Sequence, residues 1–324
     1  MLELPDSWTW DFWLADTGAD YHLFFLRASR ALLDPDRRHH RASVGHAVST
    51  DLVSWRLLPD ALVPSDSPAW DDLATWTGSV IQDPNGLWRM FYTGVSRAED
   101  GLVQRIGVAT SADLINWRKE SGGALLEADS RWYERLDLES WNDEAWRDPW
   151  VFADPGGDGW HMLVTARASA GSADNRGVIG HARSWDLTEW EVRPPLSAPG
   201  SGFGQLEVPQ VEVIDGQPVL IFSCLRPELA ADLRHAGHSG GVWIAPASSF
   251  TGPFDIAAAQ PLTDDSLYAG RIIQDRTGRW VLLAFRHREP DSDFRGGLSD
   301  PIPFGSGQLD RLPSLALQQP SPRG

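Results

Sequence analysis

Cysteine is almost absent from this chain, and the single one, Cys224, excludes a disulfide within the molecule. It ends the apolar run 219–224, where we expect a buried structural thiol and not a catalytic nucleophile. The nine His residues show no spacing typical of metal ligands. The glycine-rich run 237–241 lacks the strand-to-helix context of a phosphate loop. We therefore expect chemistry that uses no metal, no cofactor and no reactive thiol.

Basic residues and long apolar runs are scarce as well. The 28 Lys and Arg residues face 45 Asp and Glu, which gives a formal net charge of −17. This surplus of negative charge repels phosphate backbones and anionic lipid surfaces, so neither nucleic acid nor membrane is an expected partner. No apolar run approaches the length of a membrane span. Residues 1–6 lack the pattern of a secretory signal, so a cytoplasmic location is expected, and no oligomeric state is predicted.

What the chain does contain is a repeated strand pair. Five times a short strand runs into a turn with Asp or Gly and returns as a more hydrophobic strand, with starts near residues 11, 78, 148, 209 and 270. A Gly-x-Ala element follows three of the pairs, at Gly45, Gly107 and Gly180, with spacings of 62 and 73 residues. Such units stack radially because no single one can bury both of its faces. The sequence predicts an all-β fold, a five-bladed β-propeller with a central funnel-shaped active site.

A single domain accounts for all five repeats. Residues 1–308 are predicted to form one catalytic propeller, and residues 309–324, rich in Pro, Gln and Ser, an extended tail. Segment 26–41, rich in Arg and His, interrupts the first repeat, and we expect it to form a rim over the mouth of the channel. Asp83 occupies the hairpin-turn position of the second repeat, which indicates a structural role.

Carboxylates are predicted at the mouth of the channel. The first strand of each blade lines the channel of a propeller, so the N-terminal ends of these strands meet at one mouth. Three of the five carry an acid there: Asp11, Asp148 and Glu207. Buried carboxylates need partners, so three at one ring indicate a function. Two carboxyl groups across a pocket are the equipment of glycoside hydrolysis, and a third can hold sugar hydroxyls and adjust its neighbours' proton affinity.

Several motifs resemble those of a known enzyme group. The runs Tyr21-His-Leu-Phe-Phe, Gly45-His-Ala-Val-Ser, Trp76-Thr-Gly-Ser, Trp146-Arg-Asp-Pro and Asp265-Ser-Leu-Tyr-Ala are similar to those of invertases and fructanases, glycoside hydrolase family 32. Trp10-Asp-Phe-Trp is similar to the Trp-Asp-x-Trp of the levansucrase group, family 68. The resemblance covers residues from about 8 to about 290. It implies a retaining hydrolase of β-fructofuranosides, with fructosyl transfer as a possible second outcome, and a small fructoside or oligosaccharide as the substrate.

The resemblance also implies roles for individual residues. Asp11 is implied as the nucleophile that forms a fructosyl ester, Asp148 as the transition-state stabiliser and Glu207 as the general acid and base. The residues expected to bind substrate around them are Trp10, Trp13, Trp76, Ser79, Arg147, Tyr268 and Arg271. We expect Glu207 to hold its proton near neutral pH while Asp11 stays ionised. The chain departs from family 32 around Asp11 and after Glu207, where Val-Pro replaces Cys-Pro.

Two other classes of protein remain open on the residues. An inverting furanosidase for arabinose-type sugars, similar to family 43, would use the same three acids with Asp11 as base. The distance between the two carboxyl groups separates the mechanisms: about 5–5.5 Å indicates retention and about 6.5–9.5 Å inversion. A sugar-binding propeller without catalysis is the second alternative, although none of the three acids is missing. A phosphorolytic enzyme would need a phosphate clamp, and no motif of the chain indicates one.

Overall fold

Five antiparallel sheets form the protein in a computed structural model that describes residues 1–288, 294–310 and 312. Blade one contains β1 (Ser7–Asp16), β2 (Tyr21–Ser29), β3 (Ser43–Ser49) and β4 (Arg56–Leu62). Blade two contains β5 (Ala74–Gln82), β6 (Trp88–Val95), β7 (Gln104–Ser111) and β8 (Arg118–Lys119). Blade three contains β9 (Trp146–Ala153), β10 (Trp160–Arg167), β11 (Gly177–Ser184) and β12 (Trp190–Arg193).

Blade four contains β13 (Glu207–Ile214), β14 (Gln217–Cys224), β15 (Gly241–Pro246) and β16 (Gln260–Pro261). Blade five contains β17 (Leu267–Gln274), β18 (Trp280–Arg286) and β19 (Ile302–Pro303). The helices are short: α1 (Ala231–His235), α2 (Ser306–Leu309) and 3-10 turns at Arg30–Leu32, Pro35–Arg41, Arg97–Glu99, Ala173–Asn175, Arg226–Glu228 and Ile256–Ala258. None of the helices in the described part of the chain is long and apolar enough to cross a membrane.

The five sheets close into a ring, which confirms the predicted propeller. The innermost strands contact one another in the order β1, β5, β9, β13, β17 and back to β1. The N-terminal segment completes blade five, because Leu2 bridges Leu298, which also bridges Phe285 of β18. The N-terminal segment thus joins blade five and closes the ring, while the innermost strand of each sheet keeps a short, protected edge toward the channel.

The repeated glycines have a packing reason. Gly45, Gly107 and Gly180 lie in the third strands β3, β7 and β11. A Cβ atom at these positions would come within 2.6, 2.5 and 2.6 Å of the side chains of Phe25, Trp70 and Val164. Such approaches are too close for any side chain, so the pattern found in the sequence marks where a neighbouring side chain crosses the third strand in each of these three blades.

A β-bulge interrupts the innermost strand of every blade at the same level of the channel. The interruptions fall between Trp10 and Phe12, Trp76 and Gly78, Arg147 and Trp150, Glu207 and Gln210, and Tyr268 and Arg271. Three residues within the bulges have a left-handed backbone, with φ of 57° at Asp148, 52° at Val208 and 48° at Ala269. A bulge turns the side chains around it, and this conformation is costly for a β-branched residue such as Val208.

The structure describes the beginning of the C-terminal tail predicted to start after residue 308. Leu309 and Leu312 are buried in an apolar cluster with Ile214 and Phe304, so the described start of the predicted tail packs against blades four and five. The remainder of that tail, residues 311 and 313–324, lies outside the described residues. Cys224 is buried and unpaired with another cysteine, as expected for a structural thiol.

Candidate active site

A cavity of about 380 Å³ opens at the N-terminal ends of the innermost strands. Every blade contributes to its wall through one of these strands: Asp11, Thr77, Asp148, Glu207 and Tyr268. The structure therefore brings the three predicted carboxylates to one site, although they come from blades one, three and four. The segment expected as a rim lines the cavity with Arg38, His39 and His40, which confirms that placement.

Asp148 lies on the wall of the cavity with its carboxylate held from three sides. Its Oδ2 accepts bonds from the Thr165 hydroxyl at 2.8 Å and the Val208 amide at 3.2 Å, and Arg147 Nε lies 3.5 Å away. Burial raises the pKa of Asp148, the Arg147 charge opposes that rise, and the nearby Glu207 adds to it. A carboxylate with this many fixed donors is suited to holding a ligand in place and not to attacking it.

Both oxygens of Glu207 have partners. Arg147 Nη2 donates to Oε1 at 2.5 Å, and the Tyr268 hydroxyl donates to Oε2. The same guanidinium also donates to the side-chain oxygens of Gln104 and Gln205. Arg147 therefore joins Asp148 and Glu207, two of the three acids. Burial acts to lower the pKa of Arg147, but the negative charges of Glu207, Asp143 and Asp148 outweigh it and raise the pKa above its usual value.

Asp11 is set into the cavity by the bulge of β1. The Thr77 hydroxyl donates to its Oδ2 at 2.5 Å. Burial raises the pKa of Asp11 to about 7, the Asp148 charge adds to this, and the Thr77 bond opposes it. Burial and the Asp148 charge thus act against the expectation that Asp11 stays ionised near neutral pH, because the ring of acids at the channel mouth is poorly solvated.

Two further carboxyl groups, those of Asp143 and Glu228, line the cavity and were not identified from the sequence. Glu228, at the end of a 3-10 turn after β14, lines the cavity, and burial beside Glu207 raises its pKa to about 8. Its Oε2 finds no hydrogen-bond partner among the described residues. Burial and the nearby Glu207 charge both favour the protonated form of Glu228.

The aromatic residues of the mouth contact the rim segment. The Trp76 indole donates to the backbone oxygen of His39 at 2.8 Å, and the His39 ring lies edge-on to Trp10 and Trp76. Arg38 lies over the rings of Trp10 and Phe294, at 5.5 and 3.7 Å from their centroids. Burial lowers the pKa of His39 well below its usual value, so its ring is neutral and adds no charge to the mouth.

Comparison with known proteins assigns the family. A model described as the N-terminal domain of glycosyl hydrolases family 32 matches residues 14–295 of this chain. The chain belongs to glycosyl hydrolase family 32. The match begins three positions after Asp11 and so does not include this residue, around which the sequence departs from the usual family motif. A role for Asp11 is supported by its place in the cavity.

Relatives and solved structures agree with the family. An insoluble β-fructofuranosidase isoenzyme of Arabidopsis thaliana is 28% identical over 61% of this chain and 34% of its own length. The sucrose-6-phosphate hydrolase of Zymomonas mobilis is 28% identical over 74% of this chain and 46% of its own. The chain thus spans less than half the length of these curated relatives.

Among solved structures, inulosucrase from Halalkalicoccus jeotgali bound to kestose has a TM-score of 0.69 at 26% identity, covering 88% of this chain and 77% of that one. Bacillus subtilis levansucrase has a TM-score of 0.67 at 16% identity, covering 87% and 80%, which shows a shared fold.

Four of the seven predicted substrate-binding residues line the family-32 cavity: Trp10, Trp76, Arg147 and Tyr268. The other three do not line it. Trp13 is fully buried in a hydrophobic cluster, and the Ser79 hydroxyl accepts the Val151 amide at 3.2 Å. Arg271 lies further along the channel, beyond the bulge of β17. Each sits past a bulge, which turns its side chain away from the mouth.

Several lining residues were not identified from the sequence, among them Thr77, Gln104, Asp143, Gln205 and Glu228. Thr77 and Gln205 lie next to predicted motif residues, and this proximity was the available signal. Asp143 and Glu228 come from loops whose path the repeat does not determine. Among the described residues, no group of three His, Cys, Asp or Glu side chains could hold a metal ion.

Proposed function

We propose that this chain hydrolyses β-fructofuranosides with retention of the anomeric configuration. The observation that carries the proposal is the convergence of Asp11, Asp148 and Glu207 on one cavity of about 380 Å³ in a family-32 chain. A cavity of this size has room for one or two sugar units, which favours sucrose or a short fructo-oligosaccharide over a long chain bound along a groove.

The reaction proceeds by two displacements. In the first, an Asp11 oxygen attacks the anomeric carbon of the fructosyl unit while Glu207 gives a proton to the leaving oxygen, and the glycosidic bond breaks. In the second, water loses a proton to Glu207 and attacks the same carbon, which releases fructose and restores the Asp11 carboxylate. Atoms and charges balance, because the proton lost by Glu207 in the first step returns in the second.

In this proposal, Asp148 binds the substrate and Arg147 positions Glu207. Asp148 is fixed by Thr165 and Val208, so it can accept bonds from ring hydroxyls that strengthen as positive charge develops on the sugar. Arg147 holds Glu207 at 2.5 Å, and Tyr268 holds its other oxygen, so the acid cannot swing away from the leaving group. Both contacts restrict the side chain that must transfer the proton.

Fructosyl transfer fits the same chemistry. If a sugar hydroxyl occupies the place of water in the second step, Glu207 takes its proton and a longer fructoside forms. The likeness to an inulosucrase solved with kestose supports this second outcome. The cytoplasmic location and the absence of membrane and nucleic-acid partners stay predictions.

A panel of substrates tests the proposal. Purified protein is incubated with sucrose, inulin, levan and an aryl arabinofuranoside, and the released sugars are quantified. We expect fructose from at least one fructoside, and a loss of several orders of magnitude in Asp11→Asn, since one reacting oxygen is exchanged for an amide. Asp83→Asn makes the same chemical change in a turn and should retain turnover. Release of arabinose alone, or a fully active Asp11→Asn, contradicts the proposal.

A further inference from the structure

A second cavity, of about 270 Å³, lies at the other end of the central channel. Its wall includes Asp16, Trp150, Gln210, Glu212, Arg271 and Trp280. On each of four innermost strands its residues come later in the strand than those of the first cavity, as Glu212 comes after Glu207. Because these strands run in one direction along the channel, the two cavities face opposite ends. Asp16 and Gln274 are exposed, which opens the second cavity to solvent.

Arg271 brings unused hydrogen-bond donors to this cavity. The residue is only 2% exposed, and its Nη1 donates to the backbone oxygens of Val208 and Pro209 at 3.3 and 2.7 Å. Its Nε and Nη2 find no partner among the described residues. A buried donor without a partner costs free energy, and native proteins leave few such groups. The guanidinium keeps its charge at neutral pH, since burial lowers the pKa of Arg271 only to about 10.

The two free groups form one edge of the guanidinium. With Nη1 used by the backbone, the N–H bonds of Nε and Nη2 point side by side, in the arrangement that meets two oxygens of one carboxylate or phosphate. The Trp150 ring lies 4.9 Å from the guanidinium carbon and covers one of its faces. The free edge is therefore held in a fixed orientation by the protein before any ligand arrives.

We propose that this second cavity binds the carboxylate or phosphate group of a small organic anion on the free edge of Arg271. An organic ligand is favoured over a bare ion because a cavity of about 270 Å³ is far larger than a single small ion needs. The rings of Trp150 and Trp280 supply apolar wall for the rest of such a molecule. The site is separate from the proposed fructosidase chemistry at the other end.

Two acids line the second cavity, and the negative charge of each is reduced, by an ion pair in one case and by protonation in the other. Asp16 is paired with Arg276, whose Nη1 lies 2.8 Å from both of its oxygens. Burial raises the pKa of Glu212 to about 7, while a bond from Gln210 and the Arg271 charge oppose the rise. The charged groups that line the cavity are thus Arg271, Asp16 and Glu212, and the charges of Asp148 and Asp11 also act on Arg271 from the first cavity. Below about pH 7 the positive charge of Arg271 dominates the cavity and favours the binding of an anion, and above about pH 7 the ionised Glu212 repels one.

Calorimetric titration of the whole protein with acetate tests the site, with glucose as the neutral control. Acetate keeps one charge from pH 6 to pH 8, whereas the protonated fraction of Glu212 falls from about nine-tenths to about one-tenth. We expect the wild-type affinity for acetate to fall about tenfold over this range and glucose not to bind at this site. Gluconate and glucose 6-phosphate, compared with acetate and inorganic phosphate, show whether a carboxylate or a phosphate source binds better.

Two variants locate the binding. Glu212→Gln removes the repelling charge that lines the cavity, so its affinity for acetate should change far less than that of wild type between the two pH values, and should be about tenfold higher than that of wild type at pH 8, with fructoside turnover unchanged. Arg271→Met should abolish binding. If Arg271→Met does not fold, the Glu212→Gln comparison still decides, because an anion held at the other mouth by Arg38 or Arg147 would not respond to Glu212. Equal pH dependence in wild type and Glu212→Gln, competition by glucose, or no saturable binding of any anion overturns the proposal.

Discussion

Replacing Asp11 with Asn removes a carboxylate from a poorly solvated ring of acids, and we expect the variant to be more stable than wild type at alkaline pH. Burial and the Asp148 charge raise the pKa of Asp11 from 3.8 to about 7 in the folded protein. The folded state therefore holds a proton that the unfolded chain releases, and ionising Asp11 in the fold costs free energy. Asn imitates the protonated form and can still accept the Thr77 hydroxyl.

The size and pH window of the effect follow from this shift. A rise of about 3 pKa units corresponds to about 4 kcal/mol at 1.36 kcal/mol per unit. Asp11 is only partly buried, and water in the cavity screens part of the cost, so we expect about 2 kcal/mol. The advantage of Asp11→Asn should be near zero at about pH 4, grow as the pH rises, and be complete above about pH 7.

Urea unfolding of wild type and Asp11→Asn at several pH values measures this difference. Asp83→Asn is the matched control with the opposite sign. Burial acts to raise the pKa of Asp83, but its carboxylate accepts the amides of Asn85 and Leu87 and pairs with Arg89, and together these hold the pKa below the usual value. That variant should lose stability once the pH exceeds about 4. A difference for Asp11→Asn that is absent, negative or independent of pH would refute the reasoning.

Three further predictions concern activity. Because Asp11 must be ionised to attack, kcat/KM should fall about tenfold per pH unit below about pH 7, and a plateau down to pH 5 would contradict this. Glu207→Gln should abolish turnover of sucrose and spare activated aryl fructosides more, since these need less protonation, whereas equal loss on both would remove Glu207 from the acid role. Tyr268→Phe removes the donor to Glu207 Oε2 and should lower kcat about tenfold with little change in KM, measured by steady-state kinetics on sucrose.

The architecture and the ring of acids could be predicted because both follow from local patterns. Turn residues such as Gly18 and Gly86 mark the hairpins, and both have the left-handed backbone that such turns require. Once the repeat is recognised, a residue at the start of an innermost strand must lie near the mouth. This reasoning placed Asp11, Asp148 and Glu207 in one cavity without any knowledge of distances.

The positions beyond the bulges could not be predicted in the same way. Side chains alternate between the two faces of a regular strand, and a bulge shifts that alternation by one residue. Trp13 therefore enters the core, and Arg271 turns toward the far cavity. Nothing in a single sequence marks where an innermost strand bulges. Glu228 depends on the path of a loop, which tertiary packing determines.

The configuration of the first product tests the central claim most directly. Wild-type protein is mixed with sucrose in the NMR tube, and the anomer of the released fructofuranose is identified before it equilibrates. If Asp11 forms a fructosyl ester that water then opens, two inversions at one carbon restore the original configuration, and the β-anomer must appear first. An α-anomer as the first product would show a single displacement, contradict the role of Asp11 as nucleophile, and favour the inverting mechanism.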